Sequence, residues 1–199
     1  MIHLDGTLPA ELVPLSWLIG VWEGSGLISY ALGDETREHE FGQRVSFSHD
    51  GGSYLNYAAH TWMLTDADAT PFAAEVGYWR LGRPQGGGDS GPGMLPPTTP
   101  PDYATADDVE TLRNSTGGFD LEVNILHPTG VSELYLGQVA QGRIDLGTDA
   151  VMRSAHAKEH AASTRLYGLV EEHLLWAWDI AALGHDLRTH ASGRLERLE

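Results

Sequence analysis

Residues 20–26 read Gly-Val-Trp-Glu-Gly-Ser-Gly, a G-x-W-x-G-x-G string that follows a short apolar segment. The glycines Gly20, Gly24 and Gly26 allow the chain to bend sharply where a strand begins. The single indole of Trp22 is large enough to plug the end of a β-barrel. An ordinary tight barrel corner would use the same residues, so the meaning of the string depends on the rest of the chain.

The chain on either side of this string is typical of an all-β protein. Residues 9–19 predict a short helix, which Pro14 limits. Short segments typical of strands then follow, separated by turns about every 8–12 residues. This pattern predicts an antiparallel sandwich or barrel. Eleven runs are candidate strands, of which about ten are expected to be real: 21–31, 42–49, 54–64, 72–81, 109–114, 119–126, 131–139, 143–150, 165–170, 174–180 and 187–198.

One segment, residues 82–108, differs from its surroundings in composition. It contains a glycine triplet at 86–88 and proline pairs at 96–97 and 100–101. Such a composition does not favour a packed core, so we expect a surface insert between two strands of a single domain that spans 1–199. The composition favours a mobile insert over a functional lid.

The composition excludes several classes of protein. Acidic residues outnumber basic ones by 28 to 12, for a formal net charge of −16, which predicts neither a nucleic-acid nor a membrane partner. The chain has no cysteine, which excludes disulfides, thiolate nucleophiles and cysteine-ligated metals. The sequence shows no signal peptide and no apolar run of membrane-spanning length, so we expect a cytoplasmic protein.

The sequence carries ten histidines but no catalytic triad, P-loop or dinucleotide fingerprint. His156 and His160 are four residues apart, which would suit a metal pair on a helix. The surrounding residues 154–164 are typical of a loop, which argues against that pair. His127 precedes a proline and a Thr-Gly turn, and we expect it to bond the local backbone.

His190 lies in the last predicted strand, beside the small residues Ala191 and Gly193. Small neighbours leave room for a large flat ligand such as haem, which takes an axial nitrogen. Strict alternation of side chains along the strand, however, places His190 on the same face as Arg188, whereas Leu195 lies on the other face. The alternative is an exposed histidine on an edge strand, and an inward position would require a bulge at Gly193 or a partly polar interior.

Taken together, these features resemble the nitrobindin family over nearly the whole chain. The resemblance rests on the G-x-W-x-G-x-G string after a short helix and on four further stretches. These are the hairpin at 42–56, an E-x-G-[YF]-x-R strand at 75–80, an H-P/S-x-G-x-x-E-[LI] hairpin at 127–134 and L-x-x-H at 187–190.

The resemblance implies an antiparallel up-and-down β-barrel of about ten strands with a short N-terminal helix, related to fatty-acid-binding proteins. It implies haem b as the cofactor, with His190 as the axial iron ligand. A basic residue near the haem propionates is also implied, and Lys158 is the candidate, with an exposed loop lysine as the alternative. The implied activity is that of a peroxynitrite isomerase: ferric haem binds nitric oxide or peroxynitrite and converts peroxynitrite to nitrate, with no protein acid or base.

Two stretches depart from the family pattern. Residues 30–32 read Tyr-Ala-Leu where many members have Tyr-Pro-Thr, and Ala191 follows His190 where leucine is usual. These departures leave open a rival function, a carrier of a small hydrophobic ligand that uses the same barrel without haem. A carrier of acids would place an arginine inside the cavity, for which Arg44, Arg80 and Arg165 are candidates. The oligomeric state stays open, with a homodimer among the alternatives.

Overall fold

The computed structural model describes residues 8–32, 35–64, 69–182 and 184–198. Within these residues, ten antiparallel strands form a closed barrel in which each strand pairs with its neighbours in sequence and the first pairs with the last. The predicted up-and-down barrel is therefore confirmed, and the sandwich is excluded. Residues 1–7, part of the stretch in which we expect no signal peptide, lie outside the described residues.

The ten strands are β1 (Gly20–Leu32), β2 (Glu35–Ser48), β3 (Leu55–Leu64), β4 (Ala69–Leu81), β5 (Phe119–His127), β6 (Val131–Ala140), β7 (Arg143–Arg153), β8 (His160–Val170), β9 (His173–Ala182) and β10 (Arg188–Leu198). A 3-10 helix at Ala10–Leu18 precedes them, which confirms the predicted short N-terminal helix. A 3-10 turn at Pro92–Met94 and a short helix α1 at Ala106–Glu110 lie between β4 and β5. None of the described helices is long and apolar enough to cross a membrane.

The barrel interior follows from the two-residue period of its strands. In β5, the side chains of Leu121, Val123 and Ile125 are buried, and Asp120 and Asn124 at alternate positions are exposed. Successive side chains of a strand point to opposite faces, so such a pattern turns one apolar row inward. The rows from the ten strands together form one hydrophobic core.

The N-terminal helix plugs one end of the barrel, which we call the plugged end. Leu12 and Leu15 of the helix are fully buried, as is Trp22 at the start of β1. The Trp22 indole donates a hydrogen bond of 2.7 Å to the carbonyl of Leu18, and the Arg197 guanidinium lies 4.3 Å from the indole ring centre. Trp22 thus joins the plug to the first and last strands.

The segment between β4 and β5 is attached to this plugged end. The buried side chain of Arg83 donates hydrogen bonds of 2.6 and 2.8 Å to Glu11 and of 2.7 and 2.8 Å to Asp89. The hydrogen bonds from Arg83 lower the pKa of Asp89 to about 2. Tyr103 and Val109 pack against the core. The segment therefore lies at the opposite end of the barrel from the start of β10 and does not cover His190.

The predicted strand at residues 109–114 is wrong. Helix α1 begins in front of this stretch because Thr105 caps it: its hydroxyl accepts a hydrogen bond from the backbone N–H of Asp108, whose carboxylate accepts one from the backbone N–H of Thr105. This reciprocal capping box satisfies free N–H groups at the start of the helix. Local capping thus decided the structure of a segment that the sequence analysis had assigned to a strand.

We expect Gly24→Ala to destabilise the protein by about 1–3 kcal/mol, the usual range for overpacking. A Cβ atom at Gly24 would lie 2.3 Å from the carbonyl oxygen of Arg194, so β10 would have to move away from β1. The measurement is urea denaturation. Gly147→Ala is the matched control, because a Cβ atom at this strand glycine meets no atom within 4 Å. Equal stability of the two variants would contradict the packing argument.

Candidate functional site

A cavity with several polar lining groups lies at the end of the barrel opposite the plug. We call this end, where β5, β7 and β9 finish and β6, β8 and β10 begin, the mouth. A cavity of about 470 Å³ opens there, lined by His127, Thr129, Val131, His156, Lys158, Glu159, His160 and Trp178. Its volume lies within the range of about 300–1,000 Å³ that is typical of small-molecule and cofactor sites.

A second, smaller cavity of about 60 Å³ lies deeper in the barrel, and its lining is mostly apolar and aromatic. We call these two spaces the mouth cavity and the inner cavity. Trp178 lines both of them, together with Trp176 and Ala191 on the inner side. The indole of Trp178 therefore forms part of the wall between the two spaces.

His190 lies at a bulge near the start of β10. Thr189 pairs with Asp179 and Ala191 pairs with Trp178, so His190 is the extra residue between two successive pairs. Such a bulge re-aims a side chain, and the imidazole of His190 meets the edge of Trp178, with ring centres 5.4 Å apart and planes at 81°. The bulge that an inward position requires is thus present at His190 itself, rather than at Gly193.

The surroundings of His190 favour the neutral imidazole. Burial lowers the pKa of His190, a hydrogen bond to the backbone of Ser29 opposes this shift, and the charges of His160 and Arg188 add to it. A neutral imidazole has one nitrogen with a free lone pair, which is the form that binds metals. Because β10 pairs on both sides in a closed barrel, His190 is not on an edge strand.

A cluster of buried charged groups lies beneath the mouth cavity. Arg165 binds Glu75 through two hydrogen bonds of 2.8 Å, from Nη1 to Oε2 and from Nη2 to Oε1. Glu133 is fully buried and accepts hydrogen bonds of 2.8 Å from Nε2 of His127 and from Nε2 of His160. Arg165 Nη2 lies 3.7 Å from Glu133 Oε2, so a single guanidinium faces both carboxylates.

Hydroxyl groups complete this cluster. Tyr57 donates a hydrogen bond of 2.8 Å to Glu75, and Ser163 donates one of 2.6 Å to Glu133. Arg165 Nε donates to the hydroxyl of Tyr135, which in turn lies 2.6 Å from the Ser163 hydroxyl. Buried polar networks rigidify a core when their members are satisfied in this way.

Both carboxylates of the cluster are held in the ionised form. Burial by itself raises the pKa of Glu133, but the hydrogen bonds from His127 and His160 and the charge of Arg165 outweigh burial and bring the pKa well below its usual value. Burial likewise raises the pKa of Glu75, but the charge and hydrogen bonds of Arg165 outweigh burial, so the pKa of Glu75 is also lowered. Since both folded-state pKa values lie below the ordinary value of 4.5, these groups stabilise the fold above that pH and lose their contribution as the pH falls.

Comparison with known proteins assigns the chain to a family. A family model described as a THAP4-like, heme-binding beta-barrel domain matches residues 11–197. The chain belongs to this haem-binding β-barrel family. The resemblance to nitrobindins inferred from the sequence is thereby confirmed.

Curated relatives cover the whole chain. The chain is 64% identical to the peroxynitrite isomerase of Leifsonia xyli subsp. xyli and 61% identical to that of Clavibacter michiganensis subsp. michiganensis, each over 100% of both chains. Among solved structures, Rv2717c from M. tuberculosis matches with a TM-score of 0.68 and 26% sequence identity, over 96% of this chain and 99% of that one.

The haem-binding barrel brings two predicted site residues to the mouth. Lys158 lines the mouth cavity, and His190 contacts Trp178 in the wall of that cavity. The motif residues Gly20, Trp22 and Gly24 lie instead towards the plugged end, where β1 pairs with the last residues of β10. Gly26 lies further along β1, where a Cβ atom would be 2.4 Å from the ring of Phe41.

Two predictions about histidines are wrong. His127 does not bond the local backbone, because its Nε2 is 2.8 Å from the Glu133 carboxylate and its ring stacks on Trp178. His160 is the first residue of strand β8, so the expected loop ends earlier than residue 164, and His160 and His156 share no helix, as expected. In the part of the chain that the structure describes, no group of three or more metal-ligating side chains could hold a metal ion.

The three arginines proposed for a carrier occupy different positions. Only Arg165 of these three lies inside the barrel, and its two terminal nitrogens are bound to Glu75. Arg44 is paired with Glu23, half-exposed, and Arg80 is paired with Glu122. None of the three therefore offers a free guanidinium to the carboxylate of an apolar acid.

The sequence reasoning considered Arg165 only as a carrier's arginine, and it missed Trp178 and the buried carboxylates of Glu75 and Glu133. Glu75, Glu133 and Arg165 each occupy an inward position of a strand, between buried apolar or aromatic neighbours such as Tyr135 and Tyr167. Charged residues are rarely buried unless they are paired. Charges of opposite sign at inward positions of three strands were the signal that could have revealed this cluster.

We expect Arg165→Met to destabilise the fold by about 3–5 kcal/mol, because it leaves a buried carboxylate without its partner. Urea denaturation measures the loss. Adding Glu75→Gln to Arg165→Met should restore part of the stability, since the unpaired charge is removed. Arg143→Met, which breaks an exposed ion pair with Asp145, is the control and should leave the stability almost unchanged. Strictly additive losses in the double variant would contradict the pairing argument.

Proposed function

We propose that this chain binds haem b at the mouth through His190 and converts peroxynitrite to nitrate. The observation that carries the proposal is the bulge at His190. The bulge turns a predominantly neutral imidazole against Trp178, and Trp178 lies in the wall of the mouth cavity. The names of relatives that are 64% and 61% identical over their full length, each a peroxynitrite isomerase, support the assignment of the reaction.

The residues at the mouth fit a haem. A haem iron accepts an axial histidine nitrogen, and the donor available here is an imidazole that burial keeps neutral. A porphyrin also requires flat apolar contacts, which the indole of Trp178 provides between the two cavities. The buried indole nitrogen of Trp178 has no hydrogen-bond partner among the described residues, so it is free to donate to a bound group.

Lys158 is the residue that we propose for the haem propionates. It is the single lysine of the chain and lines the mouth cavity in an otherwise strongly acidic protein. The guanidinium of Arg153 donates a hydrogen bond of 3.2 Å to the Lys158 carbonyl, which ties the loop between β7 and β8. An ammonium group at a cavity rim can pair with a carboxylate without being buried.

The chain's own residues bind and enclose rather than exchange protons. When bound, ferric haem supplies a Lewis acid that can bind nitric oxide or polarise the O–O bond of peroxynitrite. His190 holds the cofactor, and the apolar lining of the inner cavity excludes water. Glu75 and Glu133 are ionised and paired, which makes them poor proton donors at neutral pH. This agrees with a reaction that needs no protein acid or base.

The negative charge of the chain supports the location and the partners that we propose for it. The formal net charge of −16 repels nucleic acids and anionic membranes, so we infer a cytoplasmic protein whose partners are small molecules. A homodimer is the assembly to test first, by light scattering of the purified protein.

Hemin titration of wild type and His190→Ala tests the proposed function. We expect a sharp Soret band in the wild type and its loss in His190→Ala, because the axial nitrogen is removed. The matched control is His173→Ala, since His173 lies at the start of β9 near the plugged end, away from the mouth cavity. Identical spectra for wild type and His190→Ala would overturn the role of His190. Uptake of a fluorescent fatty acid without hemin binding would favour the carrier instead.

Lys158→Met should release hemin about two- to five-fold faster than wild type, the effect of losing one solvent-exposed ion pair. Transfer of hemin to excess apomyoglobin measures the rate. The difference should shrink at high salt, because salt screens exposed charges. Arg143→Met removes a positive charge from the start of β7, at the plugged end, and should leave the rate unchanged. Equal rates for Lys158→Met and wild type at low salt would contradict the propionate contact.

A further inference from the structure

Trp178 contacts four groups that belong to the site. The Arg165 guanidinium lies 4.3 Å from its ring centre, and the ring of His127 stacks on it with a centre separation of 6.0 Å and planes at 9°. His160 packs at 6.3 Å with a tilt of 48°. The edge contact with His190 is the fourth, at 5.4 Å. Trp178 is thus the side chain through which the buried charge cluster meets the proposed iron ligand.

Two members of the charge cluster, Arg165 and His127, hold the indole of Trp178 in place. Arg165 is fixed by its two hydrogen bonds to Glu75, and a guanidinium at this distance from an indole face is attracted to the ring. His127 is fixed by its hydrogen bond to Glu133 and covers the indole with a parallel ring. Because these partners are buried and bonded, the indole has little freedom to move.

His190 needs such a neighbour because a bulge residue lacks a regular position in the ladder. Its hydrogen bond to the backbone of Ser29 occupies one ring nitrogen and leaves the other nitrogen with the free lone pair. That bond alone does not fix the ring plane, because the imidazole can still turn about it. The perpendicular edge contact with Trp178 opposes that rotation.

We propose that Trp178 is a positioning residue that holds the His190 imidazole in the single orientation required to bind iron. The proposal rests on the proposed function, in which His190 is the axial ligand. Groups that orient metal ligands typically change metal affinity about 10- to 100-fold when they are altered. Trp178 does not bind the iron and acts through His190.

The chain offers a matched control on the same strand. Trp176 lies two residues before Trp178 on β9, is buried where Trp178 is partly buried, and also has an indole nitrogen without a hydrogen-bond partner among the described residues. Its ring contacts Phe41 at 5.9 Å, and it pairs in the ladder with Gly193 rather than with Ala191 beside His190. Trp176→Leu therefore removes an equally large inward indole without touching His190.

The first experiment uses the protein without hemin. Nitrogen-15 spectra of the histidine side chains, assigned by comparison with His190→Ala, report the tautomer and ring exchange of His190. We expect one tautomer in wild type and in Trp176→Leu, and averaged or broadened signals in Trp178→Leu. Trp178→Phe, which keeps a flat ring, should retain part of the wild-type pattern and serves as the second variant if Trp178→Leu does not fold.

The second experiment uses the hemin-loaded protein. Trp178→Leu should lose hemin to apomyoglobin about 10-fold faster than wild type, and its ferric electron paramagnetic resonance spectrum should become heterogeneous. Trp176→Leu should keep a homogeneous spectrum and should lose hemin more slowly than Trp178→Leu, because it leaves the contact between Trp178 and His190 intact.

The results separate the two proposals. Equal histidine spectra and equal hemin loss in Trp178→Leu and Trp176→Leu would overturn the positioning role, and so would averaged His190 signals already in wild type. A wild-type Soret band that does not depend on His190 would overturn the proposed function instead. In that case, altered His190 signals in Trp178→Leu alone would still support the orienting contact.

Discussion

The bidentate pair between Arg165 and Glu75 is the interaction on which the rest of the site depends. It crosses the barrel interior from β8 to β4 and brings a guanidinium beneath the mouth cavity. The same guanidinium faces Glu133 and the indole of Trp178, so one group anchors both the charge cluster and the aromatic wall. Removing either partner would leave an unpaired buried charge, which costs far more than an exposed ion pair contributes.

The two ends of the barrel have different physical tasks. At the plugged end, apolar side chains of the N-terminal helix and Trp22 fill the opening, and the Arg83 ion pairs attach the long segment between β4 and β5. Towards the mouth, two cavities remain, bordered by imidazoles and by the indoles of Trp176 and Trp178. A barrel can sacrifice packing at one end because closure of the sheet and the plug supply the core.

A buried charged network is weak evidence for stability, because apolar residues of similar volume often stabilise a core as well or better. Its value in this barrel is geometric. His127, His160 and Arg165 cannot shift without breaking hydrogen bonds to Glu133 or Glu75, so their rings and planes are fixed around Trp178. The network therefore supplies a rigid floor beneath the mouth cavity, where we propose that haem binds.

The sequence by itself determined the strand pattern, the plug and the family, because two-residue alternation and glycine spacing are local properties of the chain. It misassigned residues 109–114, where a capping box begins a helix, and it located His190 without its bulge. Only the tertiary structure decided that Glu75, Glu133 and Arg165 meet, and that His127 and Trp178 join them. Glu75 and Arg165 are 90 positions apart in the chain, and only closure of the barrel brings them within hydrogen-bonding distance.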